Sequence, residues 1–343
     1  MSFELLQQEI IDKDLCEGCG LCAGFCKAIT LEDGKPVLTG KCVLTKQGKS
    51  CGLCYELCPQ AHPESVSKDS LKPLGSASFR TRNKTLLSVA SDGGFVTTLL
   101  RHLLKTKEYK AAVAVTGEKR EPVPLTVTDP KEVKQLGGTR YSPSGVMNEF
   151  GSTLREHGPQ IVIVGLPCEL RGVSRLEQRL GVEVLKIGLF CSNNNKTGDD
   201  GKVVKLGSCE HCQDFFGTHA DLSCGFAGSE KGWTSVIALT EKGKGVLDSI
   251  RKTNLFEAGE VDLEKIERSQ VRKSKRELTD PARILRERVL EELETSGESE
   301  IEDLAQRLGV RPDDIYYHLL ILQLNGDVKS REKDHYSVIW SVA

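Results

Sequence analysis

Eight of the chain's 13 cysteines fall within its first 58 residues, in two runs of closely spaced thiols. The first run has the spacing C-x2-C-x2-C-x3-C and the second has C-x8-C-x2-C-x3-C-P. Their members are Cys16, Cys19, Cys22 and Cys26, then Cys42, Cys51, Cys54 and Cys58. Three thiolates on one tight loop can reach three corners of a [4Fe-4S] cluster, and a more distant thiolate completes it. The spacing therefore indicates electron transfer through two iron–sulfur clusters.

A similar spacing is found in bacterial two-cluster ferredoxins, where the last cysteine of each run binds the other cluster. We predict a first cluster set of Cys16, Cys19, Cys22 and Cys58, and a second cluster set of Cys26, Cys42, Cys51 and Cys54. Lys27 replaces the usual proline, and an insertion separates Cys42 from Cys51. Two zinc sites are the alternative, but the repeated triple-then-single spacing disfavours them. Disulfides are disfavoured because we find no signal peptide.

Composition limits the class of protein. The length of 343 residues predicts two or three domains. A charged content of 28% with a formal net charge of -2 provides no overall basic field for nucleic acid or anionic lipid. No apolar stretch approaches the roughly 20 residues of a membrane span. We therefore expect a cytoplasmic protein without membrane insertion.

The order of helical and strand patterns predicts an α/β (α+β) multidomain protein. Residues 1–67 are predicted as a ferredoxin-like module, followed by a linker to about Ser78. Residues 80–276 alternate the two patterns, which is typical of a layered α/β domain. Helices are predicted at 94–105, 143–157, 167–180 and 244–252, and strands at 111–116, 125–128, 161–164, 184–190 and 233–240.

The last part of the chain has a third pattern. Residues 281–343 predict three helices (282–294, 301–308 and 312–324) and a hairpin ending at Trp340, the order of a winged-helix domain. Its expected core positions are Leu304, Ala305, Leu308, Ile315, Leu319 and Leu322. The charged segment 261–276 before it ends in a basic cluster of Arg272, Lys273, Lys275 and Arg276. We favour a solvated linker over a binding patch for this cluster.

Four of the other five cysteines lie where the α/β pattern could bring them together. Cys168 follows one predicted strand and Cys191 closes the next, so both can enter a crevice at a sheet edge. Cys209 and Cys212 form a close pair on a glycine-flanked loop. Spacing alone is equally compatible with a third [4Fe-4S] cluster and with unrelated thiols. Cys224 is expected to be a small buried side chain. His211 could be an alternative ligand, but we expect it to face solvent or to hydrogen-bond nearby.

Two glycine turns precede helices in the same region. They are Ser91-Asp92-Gly93-Gly94-Phe95 and Gly137-Gly138-Thr139-Arg140-Tyr141-Ser142. N–H groups at a helix start can bind a phosphate, although such a turn also caps a helix without any ligand. Their occurrence together favours a nucleotide pocket.

Read in order, several of these segments resemble one family, the β subunit of coenzyme F420 hydrogenase/dehydrogenase. The similar segments are 90–100, 138–142, 162–169, 188–191, 209–214 and 220–234, within about residues 84–275. The chain departs from the family at Leu166 and Glu169, where threonine and glutamine are common. Cys224 and the winged helix are also unexpected in this family.

The resemblance implies an F420-dependent oxidoreductase with FAD and [4Fe-4S] clusters, passing a hydride between reduced F420 and FAD. It implies that Cys168, Cys191, Cys209 and Cys212, here called the third cluster set, bind a third cluster. It also implies FAD contacts at Ser91, Gly93, Gly94 and Thr97 near the phosphates, and at Gly138, Thr139, Arg140 and Tyr141 near the remainder. The expected partners are coenzyme F420 and a ferredoxin or another redox partner protein.

Three alternatives stay open at this point. The chain could be a ferredoxin-dependent reductase of another substrate, a redox-sensing DNA-binding regulator, or an electron-transfer protein without flavin. Residues 280–343 contain 14 Asp and Glu against 8 Lys and Arg, a net charge of -6. DNA-binding helices need positive charge, so we favour protein docking for the winged helix.

Overall fold

The computed structural model describes residues 3–42, 51–198, 200–279, 281–333 and 337–343. The insertion between Cys42 and Cys51 lies outside these ranges. The N-terminal part is built from short elements around the cysteine loops. They are α1 (Phe3–Leu6), a π-helical turn (Gln7–Ile11), α2 (Leu21–Phe25), the antiparallel strands β1 (Ile29–Glu32) and β2 (Lys35–Leu38), and α3 (Leu53–Glu56).

A mixed eight-stranded sheet forms the centre of the molecule. Its strands are β3 (Gly75–Thr81), β4 (Ala111–Gly117), β5 (Pro122–Val127), β6 (Ile161–Gly165), β7 (Leu185–Leu189), β10 (Leu222–Gly225), β11 (Thr234–Ala238) and β12 (Phe256–Gly259). Their order in the sheet is β12-β3-β11-β10-β7-β6-β4-β5, and the four strands β10, β7, β6 and β4 are parallel to one another. A separate hairpin pairs β8 (Asn195–Thr197) with β9 (Val203–Lys205).

Helices cover the sheet, and the four helices predicted in this region lie at or near their predicted positions. They are α4 (Lys84–Leu87), α5 (Phe95–Thr106), α6 (Val146–His157), α7 (Pro167–Leu180), α8 (Ser208–His211), α9 (Glu241–Arg251) and α10 (Leu263–Lys273), with 3-10 turns at Lys68–Ser70 and Glu132–Leu136. Ile161, Val162 and Ile163 of β6 are fully buried, because helices pack on both faces of a parallel sheet. The parallel strands bring several chain segments to one edge.

Two sequence predictions are wrong. The expected linker to about Ser78 overlaps β3, which pairs with β11 and β12. These partner strands are more than a hundred residues away in the chain, so the local sequence around β3 does not predict that it pairs with them. The favoured solvated linker at 261–276 contains α10, whose Ile266, Gln270 and Lys273 are buried. Two of these three residues are polar, so the pattern of apolar residues in the sequence does not mark the buried face of α10.

The C-terminal part contains three helices and a three-stranded sheet. They are α11 (Pro281–Ser296), β13 (Ser299–Glu300), α12 (Ile301–Leu308), α13 (Pro312–Asn325), β14 (Val328–Glu332) and β15 (Val338–Val342), with the sheet order β13-β15-β14. All six expected core positions between Leu304 and Leu322 are buried. Among the described residues, no helix combines the length and hydropathy that a bilayer crossing requires.

The N-terminal part packs directly on α6 through glycine. A Cβ on Gly151 would lie 2.4 Å from the carbonyl oxygen of Gly24, so only glycine allows this backbone approach. The Met147 N–H donates to the Cys19 carbonyl at 2.9 Å, and the Gly145 N–H donates to Gly18 at 3.1 Å. These contacts fix the first cysteine loop against the central sheet domain.

Candidate metal centres and cofactor site

The third cluster set surrounds one cavity. Cys168 is near the start of α7, three residues after the end of β6, and Cys191 is two residues after the end of β7. Because β6 and β7 are adjacent parallel strands, their carboxyl ends bring the two thiols to the same edge. Cys209 in α8 and Cys212 at its end line the same cavity. The structure thus brings together four cysteines that lie far apart in the sequence, between Cys168 and Cys212.

Hydrogen-bond donors and buried surroundings accompany these thiols. The Asn194 N–H donates to the Cys209 sulfur at 3.2 Å. Burial raises the pKa of Cys191 to about 12, and the nearby Lys273 ammonium opposes that rise. A thiol in this environment stays protonated unless a metal replaces the proton. The set has the ligand chemistry that an iron–sulfur cluster requires.

The basic cluster that precedes the C-terminal part contributes to this cavity. The Lys273 ammonium donates to the carbonyls of Cys191 and Asp214, both at 2.7 Å. The Arg276 guanidinium donates to the Cys209 carbonyl at 2.6 Å. Sequence reasoning missed both roles, although it identified the cluster, because the charge pattern is also that of a solvated linker.

The first cluster set lines a second cavity. Cys16, Cys19, Cys22 and Cys58 surround it together with apolar side chains that include Leu6 and Ile10. Burial, followed by the charge of Cys16, raises the pKa of Cys58 to about 12. The structure therefore places Cys58 beside the first three thiols of the first run.

The second cluster set is more open. Cys54 interacts electrostatically with Cys51, Cys42 and Cys26, and burial raises its pKa to about 12. Cys51 is exposed. Arg311 and Glu4 lie beside Cys42 at the same opening, and they form an ion pair with each other at 3.3 Å. The C-terminal part thus contributes a cation at the edge of this set.

Glu17 and Gln60 stand between the first and third cavities, since both residues line both of them. The Gln60 amide donates to the Glu17 carboxylate at 2.9 Å. Glu17 also hydrogen-bonds to Cys168 and Cys19, one thiol from each set, and burial raises its pKa. The position of Glu17 inside the first C-x2-C loop was the available sequence signal.

Within the described ranges, no group of three or more Cys, His, Asp or Glu side chains is arranged to hold a single metal ion. Each iron of a [4Fe-4S] cluster binds its own thiolate, so the four ligands stand farther apart than the ligands of one ion. His211 hydrogen-bonds to the Glu277 carbonyl at 3.1 Å. Cys224 is buried in the hydrophobic core around the central sheet, as expected.

The two glycine turns lie next to each other. The hydroxyls of Ser91 and Thr139 are 2.7 Å apart. The Arg140 guanidinium donates to the carbonyls of Gly117, Gly137 and Gly138, so it holds the second turn in shape. Gly138 and Tyr141 are exposed beside it. This surface joins both turns and is open to a ligand.

The buried residues of the first turn have structural partners. A Cβ on Gly93 would lie 2.1 Å from the Phe79 carbonyl oxygen, and the Gly93 N–H donates to Thr234 at 3.1 Å. The Thr97 hydroxyl donates to the Gly94 carbonyl at 3.3 Å. Gly94 has a φ of 70° at the start of α5, a conformation that favours glycine. These residues position the turn, and its exposed side is formed by Ser91.

Comparison with protein families gives two matches to this chain. Residues 78–149 match the model of the coenzyme F420 hydrogenase/dehydrogenase beta subunit N-term, and residues 196–264 match that of its C terminus. The first match contains both glycine turns. The second contains Cys209 and Cys212.

Two individual proteins that are similar to this chain have names that refer to F420. The coenzyme F420-dependent sulfite reductase of Methanocaldococcus jannaschii is 26% identical over 80% of this chain, which spans 51% of that relative. A subunit of the F(420)H(2) dehydrogenase of Methanosarcina mazei is 24% identical over 71% of this chain and 84% of its own length. The first of these relatives is therefore about twice as long as the region it shares with this chain.

A solved structure has a similar fold. A chain of the F420-reducing [NiFe] hydrogenase complex from Methanosarcina barkeri superimposes with a TM-score of 0.54 at 20% sequence identity. The match covers 68% of this chain and 96% of that chain. At this level of identity the comparison supports the α/β fold of the central region.

Proposed function

Because the chain belongs to the family of the coenzyme F420 hydrogenase/dehydrogenase beta subunit, we propose that it is an oxidoreductase that exchanges a hydride with coenzyme F420. Its electrons then pass one at a time to or from a ferredoxin or a partner subunit. The observation that carries this proposal is the convergence of Cys168, Cys191, Cys209 and Cys212 on one cavity that shares Glu17 and Gln60 with the first cluster set.

The proposed cofactors are FAD and three [4Fe-4S] clusters. When bound, FAD would exchange hydride with F420, and the clusters would carry single electrons. The first and third cluster sets each offer four thiols around a buried cavity, which suits a four-iron cluster. Cys26, Cys42, Cys51 and Cys54 are proposed as the ligands of the remaining cluster.

The two glycine turns are the proposed FAD-binding surface. Some of their residues would contact FAD, and others would hold the turns in shape. Ser91, Gly138, Thr139 and Tyr141 offer hydroxyls and exposed backbone to the cofactor. Gly93, Gly94, Thr97 and Arg140 act by holding both turns in place, as their internal hydrogen bonds support. We expect substitutions in the first group to lower flavin affinity directly, and those in the second to lower it through the turn.

The proposed module boundaries are 1–67 for the ferredoxin-like module, 80–276 for the FAD and iron–sulfur domain, and 281–343 for the winged-helix-like domain. We propose that the last docks a protein. The exposed residues of α13 include Tyr316, Tyr317, Leu320 and Leu324, and none of them is a cation that could bind phosphate. An apolar exposed helix face of this kind suits a protein interface.

One anaerobic experiment tests the activity. The purified full chain, loaded with iron, sulfide and FAD, is mixed with F420H2, and the flavin absorbance near ~450 nm is followed. Bleaching of the flavin with oxidation of F420H2 is expected. A flavin that stays oxidised with F420H2 but bleaches with dithionite would refute F420 as the substrate. It would favour the alternative of a ferredoxin-dependent reductase of another substrate.

A further inference from the structure

Lys273 is a buried cation at the wall of the third cavity. Its side chain is 4% exposed, at the end of α10, and it lines the cavity together with the third cluster set. The ammonium donates to the Cys191 and Asp214 carbonyls and is in hydrogen-bonding contact with the Cys212 side chain. A lysine has three N–H donors, so these contacts engage all of them.

Among the described residues, no carboxylate pairs directly with Lys273. Glu17 is a carboxyl that lines the same cavity, but its hydrogen-bond partners are Gln60, Cys168 and Cys19. In the described part of the chain, its recorded polar contacts are two neutral carbonyls and a thiol. Burial of an unpaired ammonium is strongly unfavourable, and carbonyl dipoles offset only part of that cost. A structural link between α10 and the loop could use a neutral donor instead, as Gln270 does one turn earlier with the Val66 and Gln213 carbonyls. The cavity is therefore the place where the opposite charge is to be expected.

We propose that Lys273 is the countercharge of the third cluster and sets its reduction potential. This inference rests on the proposed function, because it needs a cluster on the third cluster set. A [4Fe-4S] cluster with four thiolate ligands carries net negative charge, and one-electron reduction makes that charge more negative without forming or breaking a bond. A fixed positive charge in contact with a ligand sulfur stabilises the reduced form more than the oxidised form. Lys273 is thus a positioning residue that raises the potential of the third cluster.

Lys273 and a nearby surface lysine provide matched variants. Lys273→Gln removes the charge and keeps an N–H donor, Lys273→Met removes both, and Lys273→Arg keeps the charge. Lys275 is exposed two residues later, so Lys275→Met removes an equal charge away from the cavity. Comparison of these four variants separates the effect of charge at the cavity from the loss of hydrogen bonds and from the net charge of the protein.

The test is an anaerobic potentiometric titration of the full chain, followed by electron paramagnetic resonance, with dithionite as the electron donor. The signal that is missing from a Cys168→Ala variant identifies the third cluster. We expect Lys273→Gln and Lys273→Met to shift its oxidation equilibrium by about tenfold toward the oxidised form, a fall of about 59 mV for a one-electron couple. Lys273→Arg and Lys275→Met are expected to match the wild type.

The outcomes distinguish this inference from the proposed function. A wild-type protein with about eight irons and no third signal would remove the third cluster, and the inference with it. About twelve irons with an unchanged potential in Lys273→Gln would overturn the inference alone. If Lys273→Met does not bind the cluster, the comparison of Lys273→Gln with Lys273→Arg tests the role of the charge. Equal loss or an equal shift in both would show that Lys273 acts through its geometry and would overturn the role of its charge.

Discussion

The contact between Gly24 and Gly151 gives a sharp test of how the N-terminal module is held. The perturbation is Gly151→Ala in α6, where the new Cβ would lie 2.4 Å from the Gly24 carbonyl oxygen and 2.7 Å from its carbon. Both atoms belong to the backbone, so no side chain can rotate away. Gly245 in α9 is the matched control, because a Cβ there meets nothing within 4 Å.

The magnitude follows from the difference between these two sites. Each substitution replaces a glycine inside a helix, which by itself stabilises the folded state by about 0.5–1 kcal/mol. Only Gly151→Ala requires the backbones to separate, from 2.4 Å to the 3.4 Å of ordinary contact, a shift of about 1 Å. Overpacking of this kind costs about 1–3 kcal/mol. Because the helix contribution is shared, Gly151→Ala should be less stable than Gly245→Ala by about that amount.

Two measurements check this prediction. Thermal unfolding of the loaded protein, at one scan rate, should give a midpoint about 1–4 °C lower for Gly151→Ala than for Gly245→Ala. Hydrogen exchange should be faster at the Met147 amide, which donates to Cys19 across the interface. Equal midpoints and equal exchange at Met147 in the two variants would refute the close approach.

Three further predictions concern iron, pH and DNA. Cys168→Ala should lower the iron content from about twelve to about eight atoms per chain, whereas Cys224→Ala should keep about twelve; equal losses would contradict the assignment. Burial, followed by the charge of Arg175, lowers the pKa of His62 from 6.5 to about 4. The unfolded chain therefore binds a proton in this window that the folded protein does not, so stability should fall as the pH drops from 6.5 toward 4. His62→Phe should flatten the dependence of the thermal midpoint on pH between 7 and 5, and an equally steep decline would count against this cause. The full chain should give no salt-dependent mobility shift with random duplex DNA, and a shift that Arg272→Ala and Lys275→Ala abolish would instead identify a DNA-binding patch.

The sequence best predicts those helices and strands whose buried residues are apolar and are marked by the local sequence alone. The bounds of α7 and α12 agree with the predicted helices, because apolar periodicity and a following glycine mark both ends. Strand β3 and helix α10 fail this condition. The partners of β3 come from distant parts of the chain, and the buried face of α10 carries Gln270 and Lys273.

The same distinction applies to the candidate site. The convergence of Cys168 and Cys191 could be anticipated, since successive parallel strands end at one sheet edge. The placement of Cys209 and Cys212 at the same cavity depends on how their loop is held, through Gln270 of α10 and Arg276 just beyond its end. The sequence alone contains no measure of that tertiary contact, and spacing therefore left the third cluster set undecided.

The packing of the C-terminal part bears on its role. Phe3, Leu6 and Ile10 share one hydrophobic core with Leu285, Val289 and Leu308. Polar contacts reinforce this core, since the Gln8 amide donates to the Gly309 carbonyl at 2.9 Å and Arg311 pairs with Glu4. A DNA-binding unit that moved away from the N-terminal part would expose these apolar side chains, at about 1.5–3 kcal/mol for each that became fully exposed. The C-terminal part is therefore held beside Cys42, which favours a partner protein that docks near the second cluster set.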